Sequence, residues 1–501
     1  MLYLSTRDND LRKNSMDVIK EGISLEGGLF VPEFVPMIKE HTLMDMVEMD
    51  YRERAIEVLS LYLTDFNHTL LKDIINSSYN NISFDSAQIA PIVSVGDNLH
   101  ILELWHGPTY AFKDMALQIL PRLMSGSVSA TGESKELVIL VATSGDTGKA
   151  ALEGFKDVAG IQIIVFYPEG GVSPIQRLQM VTQEGKNVHV AAVEGNFDDT
   201  QSGVKQIFAN EDFIRNLAEK GKRFSSANSI NWGRLVPQIV YYVSAYIDLI
   251  KAKSIEYGEE FNVVVPTGNF GNILAAYYAK KMGIPIGRLI CASNSNNILT
   301  DFINTGVYDV RRNFYKTMSP SMDILISSNL ERLLFELCGR NDEQLKDWMC
   351  SLNETGIYKV DEQTLKELQS IFWGGFADEE ETSKAIRNTY NDLNYIMDPH
   401  TAVGKYVYDE YRTRTGDRRK TLLVSTASPF KFPGDVLKAI RVEKSLEEMD
   451  DFQVLESLSS IVGQPIPAGL ANLKEKAEVH KTLTTKGMMG NTVKEFLGLD
   501  E

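Results

Sequence analysis

An amine set among apolar neighbours is the first feature of this 501-residue chain that could do chemistry. In Pro108-Thr109-Tyr110-Ala111-Phe112-Lys113-Asp114, three residues with apolar bodies lead into Lys113, and Met115, Ala116 and Leu117 follow. An ammonium there is expected to lose water. Desolvation favours the neutral amine, which can attack a carbonyl carbon and hold it as a Schiff base. The plain alternative is a lysine on an amphipathic helix, its stem on apolar surface and its head in water.

Three polar segments weigh against that alternative. Thr267-Gly268-Asn269-Phe270-Gly271-Asn272 follows an apolar run and opens a helix expected over 273–282, closed by Gly283. Strand, glycine turn and helix N-terminus together present free amides and the positive end of the helix dipole, which suits a phosphate dianion. The spacing is GxxG, and the next strand ends in Ser293-Asn294-Ser295-Asn296 with no acid for a ribose, so a dinucleotide is disfavoured. The second segment is Thr143-Ser144-Gly145-Asp146-Thr147-Gly148-Lys149. Its glycines are too close for a nucleotide loop, and Ala150 stands where a magnesium-binding hydroxyl is needed. The hydroxyls of Ser144 and Thr147 suit a small carboxylate better; capping by Ser144 or Asp146 is the bland reading. The third segment, Ser225 to Arg234, offers Asn228, Ser229, Asn231 and Arg234 to an oxyanion or phosphate, or is simply a polar lead-in to a helix.

These segments need a scaffold. Apolar runs at 136–143, 161–168, 188–193, 261–267, 288–293 and 421–426 read as buried strands, and amphipathic patterns such as 149–158 and 199–217 separate them. That alternation predicts an α/β fold with mostly parallel sheets covered by helices. The expected division is a mainly helical region at 1–95, a large α/β domain from 96–130 and 256–440, a small α/β domain at 131–255, and a helical tail at 441–501. A charged helical insertion is expected near 325–392, and the small polar stretch 125–135 is read as a linker.

Composition narrows the class. A net charge of −17 argues against general binding to nucleic acid or an anionic membrane. Three dispersed cysteines predict reduced thiols in the cytoplasm. The opening residues show no signal-peptide pattern, and no run reaches the roughly 18 apolar residues of a membrane span. The seven histidines form no HExxH or i,i+4 pair, so no metal site is expected.

In order along the chain, the segments resemble the threonine synthase family, pyridoxal-phosphate enzymes of fold type II. Ser5-Thr6-Arg7, Gly27–Pro32, His106–Thr109, Ala111–Asp114, Thr143–Gly148, Gly195–Asp199, Asn228–Arg234, Gly268–Asn272, Asp398–Ala402 and Ser425–Ala427 carry the likeness. The resemblance implies two α/β domains and a lyase of threonine biosynthesis that uses pyridoxal 5'-phosphate. It implies γ-elimination of phosphate from O-phospho-L-homoserine followed by addition of water at Cβ. Lys113 then carries the cofactor and moves protons, Gly268, Asn269, Phe270, Gly271 and Asn272 hold its phosphate, and Thr426 meets the pyridine nitrogen. A hydroxyl there, unlike a carboxylate, cannot keep that nitrogen protonated. Ser144, Gly145, Asp146 and Thr147 take the substrate carboxylate. Asn228, Ser229, Asn231, Arg234 and Lys149 face its phosphate. Asp114, His106 and His400 are expected to be structural. A monomer or homodimer is expected.

Related dehydratases usually carry asparagine at the place of Asp146, which favours the synthase. A dehydratase or phospho-lyase of the same fold, and a non-catalytic metabolite-binding protein, are the alternatives. Tyr110, Ser428 and Phe430 depart from the family's usual residues.

Overall fold

The computed structural model describes residues 1–143, 145–441 and 449–499; Ser144 lies outside them. Its larger sheet has six strands, in the order Phe372–Phe376, Ile286–Ser293, Phe261–Pro266, Thr421–Ser425, Leu99–Glu103 and Ile92–Ser94. All neighbours pair in parallel except the last two. The smaller sheet is wholly parallel and orders Thr482–Thr485, Val188–Glu194, Ile161–Pro168, Glu136–Ala142 and Lys222–Ser225. Continuous apolar runs suit the central strands because helices cover both faces, and all six residues of Phe261–Pro266 are buried.

The helix Trp232–Lys251 packs against the helices Gly271–Lys281 and Tyr51–Tyr62 and is capped by the Asn231 side chain, which accepts from the Gly233 amide. Trp232 is fully buried and meets Tyr3, Tyr62 and Tyr278 at centroid distances of 5.5, 5.7 and 5.6 Å. Tyr3 and Tyr62 belong to the N-terminal region, while Tyr278 lies on the helix Gly271–Lys281. One indole therefore joins the first residues of the chain to the helix that the glycine loop opens. A buried aromatic cluster of this kind adds about 0.5–1.5 kcal/mol per ring pair beyond its burial.

Several expectations change. The N-terminal region, mainly helical, also carries a small antiparallel sheet of Tyr3–Ser5, Asp8–Lys13 and Phe30–Pro32. Residues 125–135 are no linker, because most of them extend the helix Leu120–Thr131, which Gly132 closes in a left-handed conformation. Gly374 and Gly375, within the stretch expected to be a helical insertion, lie in an edge strand of the large sheet. Cβ atoms there would press on Thr300 and on the Trp373 ring, which is why a glycine pair reads as a break and behaves as a strand. The tail adds the strand Thr482–Thr485 to the small sheet, with β-branched threonines at three of its four positions. Among the described residues no helix is long and apolar enough to cross a membrane.

Candidate functional site

A single buried guanidinium assembles the frame. Arg332 donates from Nε to the Phe30 carbonyl at 2.9 Å, and its two other nitrogens donate to Asn329 Oδ1 and the Ile230 carbonyl. Asn329 in turn donates to the Asn269 carbonyl from its backbone amide at 3.1 Å and from Nδ2 at 3.0 Å. The N-terminal Gly27–Pro32 turn, the 225–234 segment and the glycine loop are thus held by one side chain. Glu331 alongside accepts a bidentate pair from Arg7, at 2.9 and 2.7 Å, and a bond from Thr6 at 2.6 Å.

The glycine loop has the form expected of an anion cradle. It leaves the strand Phe261–Pro266, and Phe270 turns it with a φ of 62° before the helix Gly271–Lys281 begins. A left-handed non-glycine residue costs about 1–3 kcal/mol and persists only where its surroundings enforce it. No described residue accepts a hydrogen bond from the amides of Gly268 through Asn272. The buried Nδ2 of Asn272 also lacks a partner, while its Oδ1 accepts from the hydroxyls of Tyr241 and Tyr242. A Cβ on Gly271 would come no nearer than 3.4 Å to protein atoms, so the fold itself does not require glycine there. Gly268 differs: a Cβ would lie 2.9 Å from the Ser321 carbonyl oxygen.

Ser321 links this loop to the amine. Lys113 Nζ donates to Ser321 Oγ at 3.2 Å, and the Ser321 amide donates to His400 Nε2 at 3.1 Å. His400 must then carry its proton on Nδ1, which faces Asp398 Oδ1 at 2.8 Å. Lys113 precedes a short helix, Asp114–Leu117, and stays partly exposed. Burial holds its ammonium below the usual lysine range; the charge of Asp146 opposes that, and those of Lys431 and Arg234 reinforce it. The segment pairs with the chain after the strand Thr421–Ser425: Phe112 donates to the Thr426 carbonyl at 2.8 Å, and Ala111 bridges Ala427. Lys113 and Thr426 are therefore neighbours through backbone bonds.

Arg234 also converges here. Its side chain is 4% exposed, donates once to the Ala227 carbonyl at 2.8 Å, and leaves Nε without a partner among the described residues. Burial pushes its pKa down to about 10, and no carboxylate among the described residues compensates it. A buried cation without a counter-charge is a place for an anion.

The helix Asp146–Phe155 presents its first turn to the same region. Here the Thr143 hydroxyl does the capping, accepting from the amides of Gly145 at 3.0 Å and Gly148 at 2.9 Å. Asp146 forms a buried ion pair with Lys431 at 2.9 Å and accepts from Gln176 at 3.1 Å. Burial alone would raise its pKa, but the charges of Lys431 and Lys113 outweigh this and keep the carboxyl ionised. Thr147 follows, half-buried, and Gly145 adopts a φ of 145°.

Two of the expected substrate residues are spent elsewhere. Asn231 Nδ2 donates to the Ile19 and Ser226 carbonyls at 3.0 and 2.8 Å while its oxygen caps the helix, so the side chain serves the fold. Lys149 turns away to Glu153, at 2.9 Å, and Gln183, lining a separate cavity with His106, Tyr110 and Gly469. Asn228 is exposed, and Ser229 lies 3.5 Å from the Ser328 hydroxyl. Ser321 and Lys431 have no mark in the sequence, since each acquires its role only through tertiary contacts.

His106 and Asp114 support the amine segment from behind. Asp114 accepts from the Thr109 amide at 2.8 Å and its hydroxyl at 2.7 Å, and burial raises its pKa to about 6. His106 sits between Asp85 Oδ1 at 2.6 Å and Glu103 Oε2 at 2.9 Å. Burial disfavours its charge, but the bonds to the two carboxylates prevail and push its pKa up to about 9. The stability it contributes is complete below the unfolded imidazole value of about 6.5. It is lost as pH rises through about 9. His106→Gln should lower the urea midpoint more at pH 6 than at pH 10; an equal loss at both would contradict this.

Residues 2–79 match the family "Threonine synthase N terminus", and residues 89–371 match "Pyridoxal-phosphate dependent enzyme". Threonine synthase-like 1 of Homo sapiens is 41% identical over 449 residues, covering 87% of this chain. The chain spans only 59% of that relative's length. Threonine synthase of Pseudomonas aeruginosa is 39% identical over 441 residues, covering 88% of this chain and 90% of that protein. The crystal structure of PLP-bound threonine synthase from Brucella melitensis superposes with a TM-score of 0.88 at 34% identity, over 99% of both chains.

Proposed function

The chain belongs to the threonine synthase family, and on that premise we propose that it converts O-phospho-L-homoserine and water to L-threonine and phosphate with pyridoxal 5'-phosphate. The observation that carries this reading is the convergence of Lys113, the amides of Gly268–Asn272 and the uncompensated Arg234 on one site. The free amides, the orphaned Asn272 Nδ2 and the open space at Gly271 fit the phosphate of the cofactor. When bound, pyridoxal phosphate supplies an electron sink conjugated to the substrate's Cα.

In this reading Lys113 would hold the cofactor through its amine, and the same nitrogen would take the proton from the substrate's Cα and move a proton at Cβ. Its lowered proton affinity makes the neutral form available for both tasks. Thr426, beside it through the backbone, offers a hydroxyl to the ring nitrogen. We assign the substrate carboxylate to Gly145, Asp146 and Thr147; Ser144, expected there too, falls outside the described residues. Arg234, with Ser229 and Asn228 nearby, receives the leaving phosphate. The cytoplasm as the place of action and a monomer or homodimer as the assembly complete the reading; the unpaired Cys291, Cys338 and Cys350 support the first.

Incubation of the cofactor-loaded protein with O-phospho-L-homoserine should release phosphate and threonine in equal amounts. Release of ketobutyrate and ammonia without threonine would move the reading to a dehydratase.

A further inference from the structure

We propose that Lys431 is a positioning residue for the reacting amine: its ammonium clamps Asp146 and the Lys113 segment together and cancels the carboxylate charge that Lys113 otherwise faces. The inference deepens the reading above, because it bears on the reaction only if Lys113 is the amine that reacts.

Three parts of the chain meet at this one nitrogen. Lys431 ends the turn Pro429–Lys431, which follows the last central strand of the large sheet. Its Nζ lies 2.9 Å from Asp146 Oδ1, on the first turn of a small-sheet helix, and donates at 2.8 Å to the carbonyl of Thr109, four residues before Lys113. The Lys431 and Asp146 side chains are only 2% and 6% exposed. The Ser428 amide also donates to the Tyr110 carbonyl at 3.0 Å, which fixes the turn against the amine segment. On its other side, Phe432 packs edge-on to His400, whose Nε2 accepts from the Ser321 amide. Lys431 thus holds Asp146 and the amine segment directly, while its neighbour Phe432 backs the His400 that orients Ser321.

The charges facing Lys113 are Asp146 and Asp114, which favour its ammonium, and Lys431 and Arg234, which oppose it. Asp146 is ionised under the charges of Lys431 and Lys113, and among the described residues its side-chain bonds go to Lys431 and the neutral amide of Gln176. Without Lys431, a buried carboxylate would face Lys113 uncompensated, and the amine would hold its proton too tightly to act as a nucleophile or base. A lysine that merely stapled two segments would leave the proton affinity of Lys113 unchanged.

Competitive acetylation of the full chain across pH, after hydroxylamine has freed any carbonyl adduct, gives the midpoint of Lys113 by peptide mass spectrometry. Lys431→Met should raise that midpoint by on the order of one pH unit. Asp146→Asn should lower it, the double variant should return close to wild type, and Lys431→Arg should hold the wild-type value. An unmoved midpoint in Lys431→Met, with stability reduced, would overturn the proposal and leave a structural lysine. If Lys431→Met does not fold, Asp146→Asn and the double variant decide: the double must titrate higher, and equal midpoints overturn the proposal. Failure of the enzymatic reading appears separately, as wild-type protein that releases no phosphate from O-phospho-L-homoserine. The acetylation midpoints are readable in either case.

Discussion

Lys113→Ala is expected to reduce turnover of O-phospho-L-homoserine by about 10⁴-fold or more. One positioned acid–base group contributes roughly 10²–10⁴-fold, and this amine is assigned covalent attachment as well as more than one proton transfer. The fold should survive the change. Among the described residues the side-chain hydrogen bond of Nζ goes to Ser321, and Ser321 is held independently by His400. Removing a desolvated ammonium also relieves a burial cost. The variant should therefore retain a wild-type unfolding midpoint and lose activity together with the cofactor's visible absorption near the wild-type wavelength. Activity within tenfold of wild type would contradict the assignment, as would a collapse of stability that accounts for the loss.

Arg234→Met separates the same two quantities by a different route. The guanidinium is buried and, among the described residues, has no carboxylate partner and leaves Nε unsatisfied. Methionine keeps the apolar stem and removes the charge, so the thermal midpoint should stay level or rise. Affinity for the phosphorylated substrate should fall, because a buried charge-assisted contact is worth about 2–5 kcal/mol. That corresponds to a KM raised by roughly 30-fold to a few thousandfold. An unphosphorylated homoserine analogue should bind wild type and variant alike. A large drop in stability with KM unchanged would mean that Arg234 serves only the fold, through Ala227.

The legibility of this chain follows the range of the forces involved. The strands 161–168 and 261–266 are readable because burial on both faces requires an unbroken apolar run. The Gly268–Asn272 loop is readable because a strand, two glycines and a helix start leave amides free by local geometry alone. Thr482–Thr485 is not, since four residues gain strand character only by finding the edge at Val188–Glu194. Asn231 looked like a ligand because asparagine serves equally as a helix cap, and only the neighbouring Ile19 and Ser226 carbonyls decide between the two. Lys149 lies one helical turn into the loop helix and is captured by Glu153 and Gln183, the latter from a different element. Lys431, between Phe430 and Phe432, shows nothing locally; its partner lies 285 positions away in sequence.

The covalent role of Lys113 stands or falls on one measurement. Borohydride reduction of the cofactor-loaded wild-type protein, followed by proteolysis and mass spectrometry, should yield a single pyridoxyl-modified peptide with the added mass on Lys113. An adduct on any other lysine, or none at all, would contradict the account.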